Sequence, residues 1–226
     1  MLRGGSQAET NSVITRDQVP LVSSLPGIAQ GSDGRALLSP ELSQVISLPS
    51  ASDGSDVNAQ LRGVGPKAWE IRPQVQLVEG RRFEPGLREL IVGDGAHQQF
   101  SGLDVGNTIT IGNQTWTVVG RFESGDSHES ELWADAEIVA STYNRPAYQS
   151  ITARLAGGGM QAVIAAAAEQ HGRAEEFILQ AIEKGKGFGH FHRLGLALAE
   201  HPATGRMTKD GRAVIGRPPE NVQALL

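Results

Sequence analysis

Residues 108–119 read TITIGNQTWTVV, two runs of alternating side chains on either side of Gly112-Asn113. In the first run hydroxyl and aliphatic groups alternate, so Ile109 and Ile111 share one face of a strand. In the second, Trp116 and Val118 fall on one face and Thr117 and Val119 on the other. Gly takes the positive φ that a tight two-residue turn requires, and the pattern predicts an antiparallel hairpin across Gly112-Asn113. Upstream, Leu90-Ile91-Val92 reads as a short buried strand and residues 95–100 as one or two helical turns. Gly102 and Gly106 then punctuate the run into the hairpin. This β–short helix–β-hairpin unit is the most strongly specified local structure in the chain.

The rest of the chain shows less regular patterning. Thr15 stands where a helix cap belongs, with Asp17 in the first turn and Pro20 near the start. Val19, Val22 and Leu25 give that helix an apolar stripe, and Pro26-Gly27 ends it. Residues 30–35 form a polar turn. A strand is expected around Val45-Ile46, interrupted earlier by Ser39-Pro40; a Ser/Asp/Gly loop follows over residues 49–56, then a strand over 57–64 ending at Gly65-Pro66. Residues 74–79 alternate as a half-buried strand. Leu132-Trp133 and Ile138-Val139 return to apolar character, and residues 150–155 read as a closing strand with Ile151, Ala153 and Leu155 inward. At Gly157-Gly158-Gly159 the composition changes. Residues 160–168 are Ala-rich and helix-favouring, and residues 174–184 carry Phe177, Ile178, Ala181 and Ile182 at helical spacing.

Charge follows the same division. Residues 1–156 hold 12 Lys/Arg and 18 Asp/Glu, a net −6, whereas residues 157–226 hold 8 and 7, a net +1. The acidic part has no basic stripe to follow a phosphate backbone, which argues against nucleic acid there. The chain contains 0 cysteines, which excludes disulfide staples, thiolate catalysis and Cys-type zinc sites. No run approaches 18 consecutive apolar residues, and MLRGGSQAET lacks the apolar core of a signal peptide.

Several clusters invite a chemical role, and each has a plainer explanation. Asp126, His128, Glu129 and Glu131 lie close together, but spacing within a Gly/Ser loop does not converge ligands on an ion; a solvated loop is expected. His190 and His192 are two apart, do not share a helix face and lack a third ligand. GKGFG at residues 185–189 is not a phosphate-binding loop, because the G-x-x-x-x-G-K-[ST] spacing and a leading strand are missing. There is no G-x-S-x-G motif. Trp116 and Trp133 are expected to pack in a core, and Arg81-Arg82 to be solvated charges of a turn. No catalytic, cofactor-binding or metal residue is assigned, and no cofactor is expected.

An ordered series of segments carries a resemblance. RGV at 62–64, VEGRRFEPG at 78–86, RELIVGDGA at 88–96, GLDVGNTI at 102–109, and TWTVVGRFE at 115–123 followed by SELWAD at 130–135 resemble, in order and spacing, the MacB-like periplasmic core domain of ABC transporter permeases, also found in FtsX-like permeases. The resemblance covers residues 1–156, ending at ITARL. It implies an α+β, β-rich, two-lobed extracytoplasmic domain, with residues 60–150 as the smaller lobe and the first portion belonging to a lobe completed later. It also implies a non-catalytic part in transport at the inner membrane, coupling transmembrane helices to substrate or a partner protein. The implied partners are an ABC ATPase subunit and transmembrane permease segments, with a possible homodimer. The family's domain normally follows a first transmembrane helix, so this chain reads as a fragment or an interrupted gene, with a frameshift or fusion near residue 157.

Residues 157–200 are expected to form a helical segment similar to one partial tetratricopeptide-type unit, and residues 201–226 a poorly ordered tail. The alternative reading is a soluble protein–protein interaction module whose helical tail binds a partner. An enzyme with a hidden site would instead have to show turnover abolished by mutating the loop that carries Asp126 and Glu131.

Overall fold

The computed structural model describes residues 9–159 continuously, together with residues 2, 3, 162, 163 and 166 and four short strand segments farther on. The elements are β1 (Leu2–Arg3), a 3-10 turn (Glu9–Asn11), α1 (Gln18–Ser23), β2 (Leu38–Pro49), β3 (Asp56–Val64), α2 (Ala68–Ile71), β4 (Gln76–Gly80), β5 (Glu89–Gly93), α3 (Asp94–Gln99), β6 (Thr108–Ile111) and β7 (Gln114–Glu123). A second 3-10 turn (Ser127–Ser130), β8 (Glu131–Asp135), α4 (Ala136–Thr142) and β9 (Ser150–Ala153) follow, then the short strands β10 (Phe177–Gln180), β11 (Arg193–Leu194), β12 (Arg206–Met207) and β13 (Ala213–Val214).

The hairpin expected from the sequence is present. β6 and β7 pair antiparallel with Ile109 opposite Trp116 and Ile111 opposite Gln114. Gly112 and Asn113 both have positive φ, 57° and 61°, as the mirror-image two-residue turn requires. Around it grows a mixed sheet ordered β4-β7-β5-β8-β3-β2-β9, with β6 beside β7. β5 runs parallel to β7 and antiparallel to β8, and β3 runs parallel to β8.

Alternation along these strands separates two faces. One face buries Leu42, Leu61, Leu90, Val92, Trp116, Val118 and Leu132 beneath Ala96 of α3 and Val139 and Ala140 of α4. The opposite face buries Val64, Ile91, Val119, Phe122 and Trp133 beneath Ala68, with Trp69 and Phe83 packed against them. α4 begins at Asp135, whose Oδ1 accepts the Glu137 N–H at 2.7 Å and so satisfies one of the free donors of the first turn. A further cluster at the β9 end joins Ile14, Val22, Leu25 and Ile28 to Leu38 and Ile151, with Val163 and Ala166 packed into it.

Two local expectations need correcting. Ser39-Pro40 does not interrupt a strand, because β2 runs through both residues. Pro40 lies beyond Leu42, the last residue of β2 paired with β3, so its missing N–H breaks no ladder bond on that side. Thr15 is not the cap of α1. That position falls to Asp17, which makes no side-chain capping bond, while Gln18 Oε1 accepts the Thr15 N–H at 2.9 Å. β2 and β3 pair continuously over eight residues of β2, from Leu42 to Pro49.

The helices expected over 160–168 and 174–184 fall mostly outside the described residues. Gly159, Ala162, Val163 and Ala166 are helical. Phe177–Gln180, at the centre of the second expected helix, is extended and pairs antiparallel with Leu2–Arg3 and with Arg193–Leu194. His190, His192 and the GKGFG run lie outside the described residues.

Candidate functional site: a buried charge network

The apolar surroundings of Trp133 contain an unusual number of charges. On β3, Ala59 and Leu61 enter the helix-covered core, so Arg62 is turned by the pleat to the opposite face. Its register partners are Ser43 on β2 and Trp133 on β8. Arg62 Nε and Nη2 donate to the two oxygens of Glu131 at 2.8 and 3.0 Å, a bidentate pair. Arg62 Nη1 reaches Glu41 Oε2 at 3.3 Å and Glu9 Oε1 at 2.9 Å.

Arg72, just beyond α2, makes a second bidentate pair. Its Nη1 and Nη2 donate to Glu41 at 2.7 and 2.9 Å, and Nη2 also donates to Thr152 Oγ1 of β9 at 3.2 Å. The Arg72 guanidinium lies 5.4 Å from the Trp133 ring centroid, and Trp133 Nε1 donates to Glu131 Oε2 at 2.8 Å. The network therefore draws on β2, β3, β8, β9, the segment after α2 and, through Glu9, the N-terminal turn.

Burial makes these pairings matter. Exposed ion pairs contribute little, but the side chains of Glu41 and Arg72 are 1% and 6% exposed. Burial, the largest influence on Glu41, raises its pKa. The charges of Arg72 and Arg62 and hydrogen bonds from Arg72 and Ser39 outweigh it, so the carboxyl titrates at about 2 instead of 4.5. Burial works against the charge of Arg62, but the Glu131 hydrogen bond and the surrounding carboxylates raise its pKa well above the usual value.

The depressed Glu41 pKa has a thermodynamic consequence. Its stabilisation is fully present above the unfolded-state value near 4.5 and is lost as pH falls towards 2. A shift of that size corresponds to about 3 kcal/mol. Urea unfolding between pH 6 and pH 2 should therefore show a stability decline whose slope flattens in Glu41→Gln. An unchanged slope would assign the acid sensitivity to other carboxylates.

The acidic loop is solvated only in part: Glu123, Gly125, Ser127 and Ser130 are exposed, whereas Asp126 and His128 turn inward. Asp126 and His128 are buried against each other, with Asp126 Oδ1 2.7 Å from His128 Nδ1, and Ser124 Oγ also donates to Asp126 at 2.7 Å. Burial raises the Asp126 pKa, but the Ser124 and His128 hydrogen bonds bring it below the usual carboxylate value. The His128 ring meets Trp133 edge-on at 5.4 Å. Glu129 accepts the N–H groups of Ser124 and Gly125 at 2.9 and 2.7 Å, whereas Glu131 faces Arg62. Asp126 and His128 therefore pair with each other, while Glu129 and Glu131 turn to other partners.

Arg81 and Arg82 are also engaged. Arg81 makes a bidentate pair with Glu89 at 2.7 and 2.6 Å, and the Arg82 guanidinium lies 4.5 Å from the Trp69 centroid. Trp116 and Trp133 are fully buried, as their sequence context predicted.

The network was missed in the sequence. Its trace is a charge inside each apolar run: Glu41 in SPELS, Arg62 in QLRGV and Glu131 ahead of Leu132-Trp133. Each resembles an outward-facing strand residue until the opposite face is known to be covered.

The comparisons with known proteins point to one family. The sequence matches the MacB-like periplasmic core domain over residues 4–171, which extends beyond the expected end at residue 156. The fold is similar to the extracellular domain of the noncanonic ABC-type transporter YknZ from Gram-positive bacteria, with a TM-score of 0.55 and 15% identity, covering 77% of this chain and 94% of that one. It is also similar to the periplasmic region of MacB from Actinobacillus actinomycetemcomitans, with a TM-score of 0.56 and 14% identity, covering 79% and 86% respectively. No curated protein matches the sequence. With more than half of its residues in one family match and the same fold in both solved domains, the chain belongs to the family of the MacB-like periplasmic core domain of ABC transporter permeases.

Proposed function

We propose that this chain is the extracytoplasmic coupling element of an ABC transporter permease, works without chemistry of its own, and passes motion between transmembrane segments and a substrate or partner protein. ATP hydrolysis belongs to a separate ABC ATPase subunit in this reading, and the domain acts at the outer face of the inner membrane as a pair of copies. No helix among the described residues is long and apolar enough to cross a membrane.

The observation that carries the reading is the way both ends of the sheet-forming region are tied together. The N-terminal segment pairs with the segment leading into β9, where Ile14 and Tyr148 exchange backbone hydrogen bonds at 2.8 and 2.9 Å. β9 in turn pairs with the first part of β2, from Leu38 to Glu41. Displacement of either segment is therefore carried into β2 and the charge network rather than into a loose connection. Coupling through such a domain requires contacts that differ between two states of the larger assembly.

The test is a graft of the domain between the first and second transmembrane helices of a related permease. The expected result is transport-coupled ATPase activity in the partner subunit above that of a permease with the domain deleted. A graft that folds and assembles but leaves the ATPase unresponsive would overturn the coupling role. Tight ATP binding by the isolated chain in calorimetry would overturn the division of labour.

A further inference from the structure

One edge of the sheet has nothing beside it among the described residues: β6 pairs there with β7 alone. Its closing pair, Ile111 and Gln114, flanks a two-residue turn and is therefore a hydrogen-bonded pair. Bonded and non-bonded pairs alternate from it along an antiparallel ladder. Ile109 and Ile111 accordingly bond to β7, whereas the N–H and C=O groups of Thr108 and Thr110 point away from it. The Thr117 N–H agrees, since it turns from Thr108 and donates to the Arg88 carbonyl at 3.0 Å. Thr108 and Thr110 are both exposed.

Sheet edges are ordinarily blunted by a charge, a bulge or a covering segment. β4, on the same side of β7, has a register shift between Leu77 and Glu79, and Glu79 pairs with Arg121. At the far end of the sheet, Ile14 and Ile28 bridge to Tyr148 and Leu155, before and after β9. β6 has no such device. Its sequence is TITI, uncharged and without a register shift. On its helix-covered side Ile109 is only partly buried, as are Ile138 and Tyr143 of the same cluster.

The two ends of β6 differ in charge. At its start, Asp104 accepts from the Asn107 side chain and is 72% exposed. At its end, Gly112 lies against Thr142 and Tyr143. The turn beyond them carries Arg145, which is exposed and has no ion pair among the described residues.

We infer that two copies of this chain pair antiparallel through β6, about a two-fold axis at Ile109. Thr108 of each copy then faces Thr110 of the other, and each such pair exchanges both backbone hydrogen bonds. The Ile109 side chains meet across the axis on the helix-covered side, and the threonine hydroxyls meet on the other. The antiparallel direction sets Asp104 of one copy at the Arg145 end of its partner. An uncharged strand can meet itself without like charges coming together. A four-residue contact is smaller than a stable interface needs, so it acts between copies already held close to one another. In that respect it rests on the coupling reading, which places two copies in one assembly. Paired β6 strands would join the two sheets and carry a displacement of β7 from one copy to the other.

Disulfide trapping tests this in the full chain, whose 0 cysteines let one introduced thiol report a single contact. Ile109→Cys puts two thiols across the axis on Cα atoms about 4.5 Å apart, within disulfide reach. Mild oxidation should convert most of this variant to a covalent dimer that reductant reverses. Asn58→Cys, exposed on β3, should stay largely monomeric. Adding Thr110→Pro to Ile109→Cys removes an outward N–H but no bond to β7, and should abolish most of the dimer with an unchanged circular-dichroism spectrum. Asp104→Arg in the Ile109→Cys chain should also lower the yield, and Arg145→Asp added to it should restore the dimer. That comparison decides the matter if the proline variant misfolds. Equal yields from Ile109→Cys and Asn58→Cys would mean random collision and overturn the pairing. So would undiminished dimer in a folded Thr110→Pro chain, or charge reversals that leave the yield unchanged or fail to restore it. An Ile109→Cys chain that stays monomeric would overturn it as well, leaving the edge to a strand of another protein. None of these readings involves transport, so the pairing and the coupling role can fail independently.

Discussion

Arg62→Ala should be among the most destabilising single substitutions in this domain, lowering unfolding free energy by about 3–5 kcal/mol, as for a buried ion pair that loses one partner. For a chain of this size that corresponds to a fall in melting temperature of roughly 6–20 °C. The loss comes less from the contacts removed than from what is left behind. Glu131 would retain the Trp133 N–H but lose its counter-charge, and Glu41 would depend on Arg72 alone. A carboxylate this deeply buried without a cation must either recruit water or take up a proton.

A second substitution separates lost packing from stranded charge. Arg62→Met with Glu131→Gln keeps side-chain volume, leaves an acceptor for Trp133 Nε1 and removes the unpaired carboxylate. It should therefore be more stable than Arg62→Met alone. Urea denaturation midpoints at pH 7 decide the matter. A loss below about 1 kcal/mol in Arg62→Ala would mean that water already reaches these carboxylates, as at an exposed pair.

Trp116→Ala should cost about as much, 3–5 kcal/mol, by a different mechanism. Trp116 is fully buried in the helix-covered face, opposite Ile109 and on the same side of β7 as Val118. Removing the indole leaves a cavity between the sheet and its helical cover. Its Nε1 has no hydrogen-bond partner among the described residues, so Trp116→Phe gives up volume but also relieves an unsatisfied buried donor. That variant should lose clearly less stability than Trp116→Ala. Thermal melts of the two variants give the comparison, and equal losses would show that the indole N–H is solvated or that the cavity does not govern the cost.

The central unit was legible because its determinants are local. Alternation over residues 108–119 sets which side chains face the core, and Gly112-Asn113 supplies the turn conformation. Leu90-Ile91-Val92 is apolar at every position and is buried on both faces, as a central strand must be. The ordered segments that mark the family depend only on residue identity and spacing, so the sequence alone displays them.

Electrostatic organisation was not legible in the same way. Glu41 and Arg62 lie 21 positions apart, and Arg62 and Glu131 lie 69 apart. Their meeting depends on β3 pairing antiparallel with β2 and parallel with β8, which nothing within either segment specifies. The same holds for Asp126 and His128, whose acidic, hydroxyl-rich neighbours suggest solvent until Trp133 is placed against the imidazole. Pro40 likewise looked like a strand breaker because the sequence does not reveal on which side, or how far, β2 is paired. The sequence by itself determined the hairpin, the central strand, the indole packing and the family. Only the tertiary structure decided which charges are buried and what neutralises them, because burial depends on long-range strand order and a charge's energy depends on its burial.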